Sequence, residues 1–128
     1  MVRLAHVTVV VRDYDEALAF YIGVLGFALA EDVAMAGGKR WVRVIGDGGA
    51  SIVLARAATD VQRERVGDPT GGRVWLFLET DDFARDHARL VACGVRFVEA
   101  PRDEAYGRVA VFEDLYGNKI DLIQPRGR

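Results

Sequence analysis

The chain has 128 residues, 51% of them apolar, and a formal net charge of −2. This is typical of one globular domain, or of two half-size modules that share a core. No apolar run approaches the roughly 18 residues of a membrane span, no signal-peptide pattern opens the chain, and Lys and Arg do not cluster along one face. We therefore expect a cytoplasmic protein and exclude membranes and nucleic acid as partners.

The first part of the chain predicts a βαβββ unit. Val7, Val9 and Val11 alternate with His6, Thr8 and Val10, so residues 4–11 are expected to form a strand with one covered side. Asp13 is placed as an N-cap, with Glu16 three residues later, and Gly26 is expected to end the helix. Strands are predicted at residues 27–35, 40–46 and 50–55, with glycine-rich turns between them.

Residues 57–72 combine mixed charges with a Gly- and Pro-containing end, which predicts a solvated linker with room for one helical turn. The only cysteine, Cys93, cannot form an internal disulfide. Its helical context just before Gly94 predicts a buried structural thiol.

The second part of the chain repeats the first. The repeat predicts a strand at 73–80 and a helix at 82–93 capped by Asp82. Further strands are predicted at 95–99, 107–113 and 119–124. A mixed-charge loop at 101–106 and a turn at Tyr116-Gly117-Asn118 are expected to connect them. The first copy has His6 where the second has Trp75, and Ile52-Val53-Leu54 corresponds to Ile120-Asp121-Leu122. We predict one α+β domain over 1–128, made of module 1–56, linker 57–72 and module 73–128, whose curved mixed sheets surround a cavity.

Alternation within the strands places a set of polar and flat side chains on one face of each sheet: His6, Thr8, Trp41, Arg43, Trp75 and Phe77. Aromatic residues could simply fill the core. Two tryptophans with an arginine are more polar and flat-sided than a core requires, which favours a planar or amphipathic ligand. The remaining histidine, His87, is expected on the outer surface of the second helix.

Several motifs resemble the vicinal oxygen chelate superfamily, which includes glyoxalase I, bleomycin- and fosfomycin-resistance proteins and extradiol dioxygenases. The motifs are His6, Asp13, Ala19-Phe20-Tyr21, Leu25-Gly26-Phe27, Thr80-Asp81-Asp82, Gly94-Val95 and Phe112 to Leu122. The last motif departs from the family pattern, because Leu115 and Tyr116 replace a proline and an acidic residue, and Asp121 replaces a glutamate.

The resemblance implies four metal-ligand positions, which correspond to His6, Val53, Trp75 and Asp121. Valine and tryptophan cannot ligate, and His6 with Asp121 alone would make a weak site, since tight catalytic sites hold their ion with at least three protein ligands. We therefore expect no metal cofactor. The resemblance also implies a homodimer, and the exposed edges of open sheets make dimerisation physically sensible.

These observations support a small-molecule-binding protein in which Trp41, Trp75 and Phe77 form aromatic walls around a pocket that also includes Thr8 and Val53. Arg43 would pair with an anionic or carbonyl group, and His6 with Asp121 would form the polar end. Two alternatives stay open. One is a metal-dependent lyase, isomerase or dioxygenase whose ligand set is completed by Glu31, by Glu79 or by a domain-swapped partner. The other is a metal-free enzyme with His6 and Asp121 as its catalytic acid–base pair, although these two residues could also form a merely structural hydrogen bond.

Overall fold

The computed structural model describes residues 1–127, which divide into two compact units, Met1–Gly67 and a second that begins at Asp68. Each unit contains a four-stranded mixed sheet and a ten-residue helix. The predicted α+β class with tandem βαβββ modules is confirmed.

The first module contains β1 (His6–Val11), α1 (Tyr14–Gly23), β2 (Ala28–Ala34), a 3-10 turn (Ala36–Gly38), β3 (Arg40–Ile45) and β4 (Ser51–Arg56). The short helix α2 (Asp60–Glu64) lies in the segment predicted as a linker. The second module contains β5 (Leu76–Glu79), α3 (Phe83–Ala92), β6 (Phe97–Glu104), β7 (Gly107–Glu113) and β8 (Lys119–Pro125). No helix within residues 1–127 is long and apolar enough to cross a membrane.

Both sheets have the same topology. The strand order is β1-β4-β3-β2 in the first sheet and β5-β8-β7-β6 in the second. In each, the first strand runs parallel to the last one of its module, and the other neighbours are antiparallel. The repeat seen in the sequence is therefore a repeat of strand pairing as well.

The core of the first module lies between α1 and its sheet. Asp13 caps α1 by accepting a hydrogen bond from the Glu16 amide at 2.8 Å, and Gly26 follows the helix at φ 82°. The helix buries Tyr14, Ala17 and Tyr21, and the helix-facing strand positions Val9, Val11, Val42, Val44, Ile52 and Leu54 are at most 3% exposed. The strand residues that alternate with these positions form the helix-distal face of the first sheet.

The core of the second module includes a residue that the sequence analysis placed wrongly. His87 is not an outward surface residue, because its ring stacks on Phe83 at 5.5 Å between centroids and lies 4.2 Å from the ring of Phe97. The reason is helical spacing, since positions 83, 87 and 90 share one face and Phe83 and Leu90 are buried.

Two further predictions are corrected. The expected loop at 101–106 is largely strand, because β6 continues through Pro101 to Glu104. β6 is an edge strand with two register shifts, and a proline is tolerated at such positions. Cys93 is exposed rather than buried, because it is the C-cap of α3, where the helical spacing that predicted burial ends.

The predicted final turn is present. The side chain of Asp114 accepts hydrogen bonds from the amides of Tyr116 and Asn118, and Gly117 adopts φ 93°. This turn aligns β8 with β7, and it thereby sets the position of Asp121 in the second sheet.

Candidate functional site

The helix-distal face of the first sheet brings together five polar or aromatic side chains from four strands. They are His6 on β1, Glu31 on β2, Trp41 and Arg43 on β3, and Ser51 on β4. Strand register causes this grouping, because His6 pairs with Ser51, and Glu31 pairs with Arg43. Paired residues project to the same side of a sheet, so these side chains meet.

Glu31 joins the two residues of β3. Its Oε1 atom accepts a hydrogen bond from Nε1 of Trp41 at 2.9 Å and one from Nε of Arg43 at 2.6 Å. The hydrogen bond from Trp41 and, to a smaller extent, the one from Arg43 hold the pKa of Glu31 below its usual value. An ionised Glu31 therefore fixes the orientation of both the indole and the guanidinium group.

Ser51 joins β3 to β1. Its Oγ atom accepts a hydrogen bond from Nη1 of Arg43 at 2.9 Å and lies 2.6 Å from Nδ1 of His6. Ser51 is 1% exposed, whereas His6 is exposed and its ring meets Trp41 edge-on at 6.1 Å. A buried hydroxyl therefore orients an exposed imidazole.

Thr8 and Val53 extend this face away from the polar network. They are register partners across the parallel β1–β4 pair, and Val53 is also paired with Arg43. Thr8 is exposed, and Val53 is 9% exposed. The face thus combines a polar network with a small apolar surface.

Ser51 was not predicted as a site residue, and Glu31 was predicted only as a possible metal ligand. Ser51 shares its strand face with Val53, so the alternation of β4 could have indicated that its hydroxyl lies on the candidate face. Glu31 gave no such signal, because β2 has a register shift between Leu29 and Glu31. A one-residue shift changes the face on which a side chain lies.

The second sheet presents a different helix-distal face, defined by Phe77, Asp121 and Val111, which are register neighbours on β5, β8 and β7. Phe77 is 66% exposed, whereas Asp121 is 6% exposed. Oδ1 of Asp121 is buried and has no hydrogen-bond partner among residues 1–127. Burial raises the pKa of Asp121, the charge of Arg102 opposes this shift, and the charge of Glu99 adds to it.

Trp75 lies just before β5, since that strand begins at Leu76 rather than at the predicted residue 73. Its amide donates a hydrogen bond to the carbonyl oxygen of Lys119 at 2.8 Å, and its side chain is half-buried. The backbone of Trp75 is thus held against β8, although it is outside the regular strand.

The residues present do not fit a bound divalent metal ion. Within residues 1–127, no three His, Cys, Asp or Glu side chains lie close enough together to hold one. The second and third metal-ligand positions carry Val53 and Trp75, neither of which has a suitable donor atom. No chemical step is therefore assigned to a metal.

The chain matches known proteins over nearly its whole length. The family model described as Glyoxalase/Bleomycin resistance protein/Dioxygenase superfamily matches residues 3–122. An uncharacterized protein of Shewanella frigidimarina (strain NCIMB 400) is 51% identical, over 94% of this chain and 92% of its own.

Solved structures show the same fold. UcmS2 superposes with a TM-score of 0.83 at 31% identity, over 96% of this chain and 98% of its own. TnmS3, an antibiotic binding protein from Streptomyces sp. CB03234, superposes with a TM-score of 0.80 at 34% identity, over 98% of this chain and 97% of its own.

Proposed function

The chain belongs to the Glyoxalase/Bleomycin resistance protein/Dioxygenase superfamily, and we propose that within it the protein is a metal-free binder of a small, flat, partly apolar molecule. The candidate ligand contacts are proposed for each sheet by itself. On the helix-distal face of the first sheet, Trp41 provides an aromatic contact, and Arg43 and His6 provide polar ones. At the second sheet, Trp75 and Phe77 provide aromatic contacts. An antibiotic is the ligand class favoured by the similarity to TnmS3.

The network around Glu31 carries this proposal. The indole of Trp41 and the guanidinium of Arg43 are held by the same carboxylate oxygen before any ligand arrives. Ordering such side chains during binding would otherwise cost roughly 0.5–1.5 kcal/mol each. A preorganised aromatic and polar surface of this kind favours ligand binding, and packing of a core does not require it.

The two enzymatic alternatives have less support. A metal-dependent enzyme needs donor atoms that Val53 and Trp75 do not offer. Glu31, which could complete such a set, is already bound to Trp41 and Arg43. Metal-free acid–base catalysis by His6 and Asp121 stays a prediction, and the Nδ1 atom of His6 is already engaged by Ser51.

Binding can be tested with a thermal-shift and tryptophan-fluorescence screen of aromatic and glycopeptide compounds. For a ligand found in this way, Trp41→Ala and Trp75→Ala should each weaken binding by a few-fold to about tenfold, because ring contacts contribute ~0.5–1.5 kcal/mol. Trp41→Phe and Trp75→Phe keep a ring and serve as matched controls. If both alanine variants fold and bind as tightly as the parent, the aromatic-wall proposal is wrong.

A further inference from the structure

The carboxyl group of Asp121 lacks a partner that its burial calls for. The residue is 94% buried, and its Oδ1 atom accepts no hydrogen bond from residues 1–127. A buried carboxylate is costly unless it is paired or hydrogen-bonded, and native proteins rarely leave one unsatisfied. Rotation of the carboxyl group towards the hydrogen-bond donor of a bound ligand would supply the missing contact.

The charges near Asp121 select the kind of donor. On β6, Arg102 binds Glu99 through Nη1 at 2.5 Å and Glu104 through Nε at 2.8 Å. One guanidinium therefore faces two carboxylates, although at Asp121 itself the positive charge of Arg102 outweighs the negative charge of Glu99. Because Arg102 is already engaged by Glu99 and Glu104, an ionised Asp121 attracts a ligand cation and repels a ligand carboxylate.

The neighbouring side chains indicate what else the ligand carries. Phe77 and Val111 are the register partners of Asp121 on the two adjacent strands, so all three lie on one face. The ring of Phe77 is 66% exposed and offers a flat apolar contact. Aromatic rings prefer stacked or edge-on contact with another ring, and their faces also attract cations.

We propose that the second sheet binds the protonated amine of an aromatic ligand, with Asp121 as the hydrogen-bond acceptor and Phe77 against the ring. This inference rests on the proposed binding function. It adds which chemical group of the ligand contacts the helix-distal face of the second sheet. The first sheet differs, because the carboxylate of Glu31 is already occupied by Trp41 and Arg43. Asp121, rather than Glu31, is therefore the carboxylate that a ligand amine would contact.

Three probes that share one ring system test this. We would measure the affinities of 1-naphthylmethylamine, 1-naphthalenemethanol and 1-naphthoic acid by isothermal titration calorimetry at pH 7. The amine should bind about tenfold more tightly than the alcohol, because a charge-assisted hydrogen bond is about twice as strong as a neutral one. The carboxylate should bind most weakly.

Variants then locate the effect. Asp121→Asn keeps the shape but loses the charge, so the amine should bind within about threefold of the alcohol. Asp121→Glu keeps the carboxylate and should retain most of the preference. Asp103→Asn is the matched control, since it removes a negative charge from β6 beside its register partner Arg108, whose side chain lies on the opposite face of the sheet, over Phe83. It should change the amine preference by less than about threefold.

The possible failures are distinguishable. If the naphthalene probes bind with no preference for the amine, the inference about Asp121 is wrong and the binding function stands. If Asp121→Asn folds and keeps the full preference, the cation site is elsewhere and the inference is again wrong. If Asp121→Asn does not fold, the order of the three probes on the parent protein still decides. If none of the three probes binds, the proposed function itself is contradicted, and the inference fails with it.

Discussion

Nδ1 of His6 lies 2.6 Å from Oγ of Ser51, its register partner across the parallel pair of β1 and β4. The same Oγ atom accepts a hydrogen bond from Arg43, which can only donate. The hydroxyl hydrogen of Ser51 therefore remains available for Nδ1 of His6. One buried side chain thus sets the orientation of two candidate ligand-binding residues.

Ser51→Ala should lower the free energy of unfolding by about 1 kcal/mol, because two hydrogen bonds are lost at a buried position while His6 remains accessible to water. Urea denaturation measures this change. Thr8→Val on the same face is the control and should stay within about 0.5 kcal/mol of the parent, since Thr8 is exposed. Equal stability of Ser51→Ala and the parent would show that the network is not stabilising.

His87→Phe should stabilise the protein. Nε2 of His87 is buried without a hydrogen-bond partner among residues 1–127, and the ring already packs between Phe83 and Phe97. Replacing an unsatisfied polar ring by an apolar ring removes a desolvation penalty of about 1 kcal/mol, which corresponds to a rise in Tm of roughly 4 °C. His87→Gln keeps a polar group there and should not raise the Tm. A lower Tm for His87→Phe would disprove this account.

Asp121 should make stability depend on pH in the direction opposite to most carboxylates. Burial raises the pKa of Asp121 in the folded state. The contribution of this side chain to the free energy of unfolding is therefore fully present below the unfolded-state pKa, and it is lost as pH rises through the folded-state pKa. Asp121→Asn removes this titration. As pH rises from acidic to neutral, the variant should therefore gain stability relative to the parent. Urea denaturation at several pH values measures this difference. A relative loss of stability over this range would contradict the prediction.

The protein should purify without a stoichiometric transition metal, because Val53 and Trp75 occupy two of the four positions that ligate in metal-binding relatives. Elemental analysis of protein prepared without chelators or metal-affinity resin measures this. About one Ni, Zn, Fe or Mn per chain, lost in His6→Ala, would overturn the prediction and restore the metalloenzyme alternative.

We expect a homodimer, since β2 is an edge of its sheet and exposes apolar side chains. Leu29 and Val33 are each 50% exposed, and Met35 just beyond the strand is 48% exposed. Light scattering at micromolar concentration should give twice the chain mass. Val33→Lys should shift the protein towards the monomer, because an edge lysine opposes strand pairing. Val61→Lys, at an exposed position on α2, should leave the mass unchanged. A monomeric parent protein would contradict the expectation.

Local features of the fold could be predicted from the sequence, because they depend on residues close together in the chain. The caps at Asp13 and Asp82 are examples, since each side chain bonds an amide three residues later. Helix ends at Gly26 and Gly94 depend only on a positive φ that glycine tolerates. The strand at β6 was predicted, but its continuation through Pro101 to Glu104 was not, because the tolerance of a proline there comes from an edge position, which is set by sheet order.

The sequence by itself therefore determined the two βαβββ modules, their family, and which strand faces carry His6, Trp41, Arg43, Phe77 and Asp121. Only the tertiary structure decided which contacts these side chains make and how far they are buried. The contact between His6 and Ser51 spans 45 residues, and the position of Glu31 depends on a register shift within β2. The unsatisfied Oδ1 atom of Asp121 depends on burial that exists only in the folded chain. Hydrogen bonds and burial between distant residues follow from how strands pair, and a register shift such as the one in β2 changes which side chains meet.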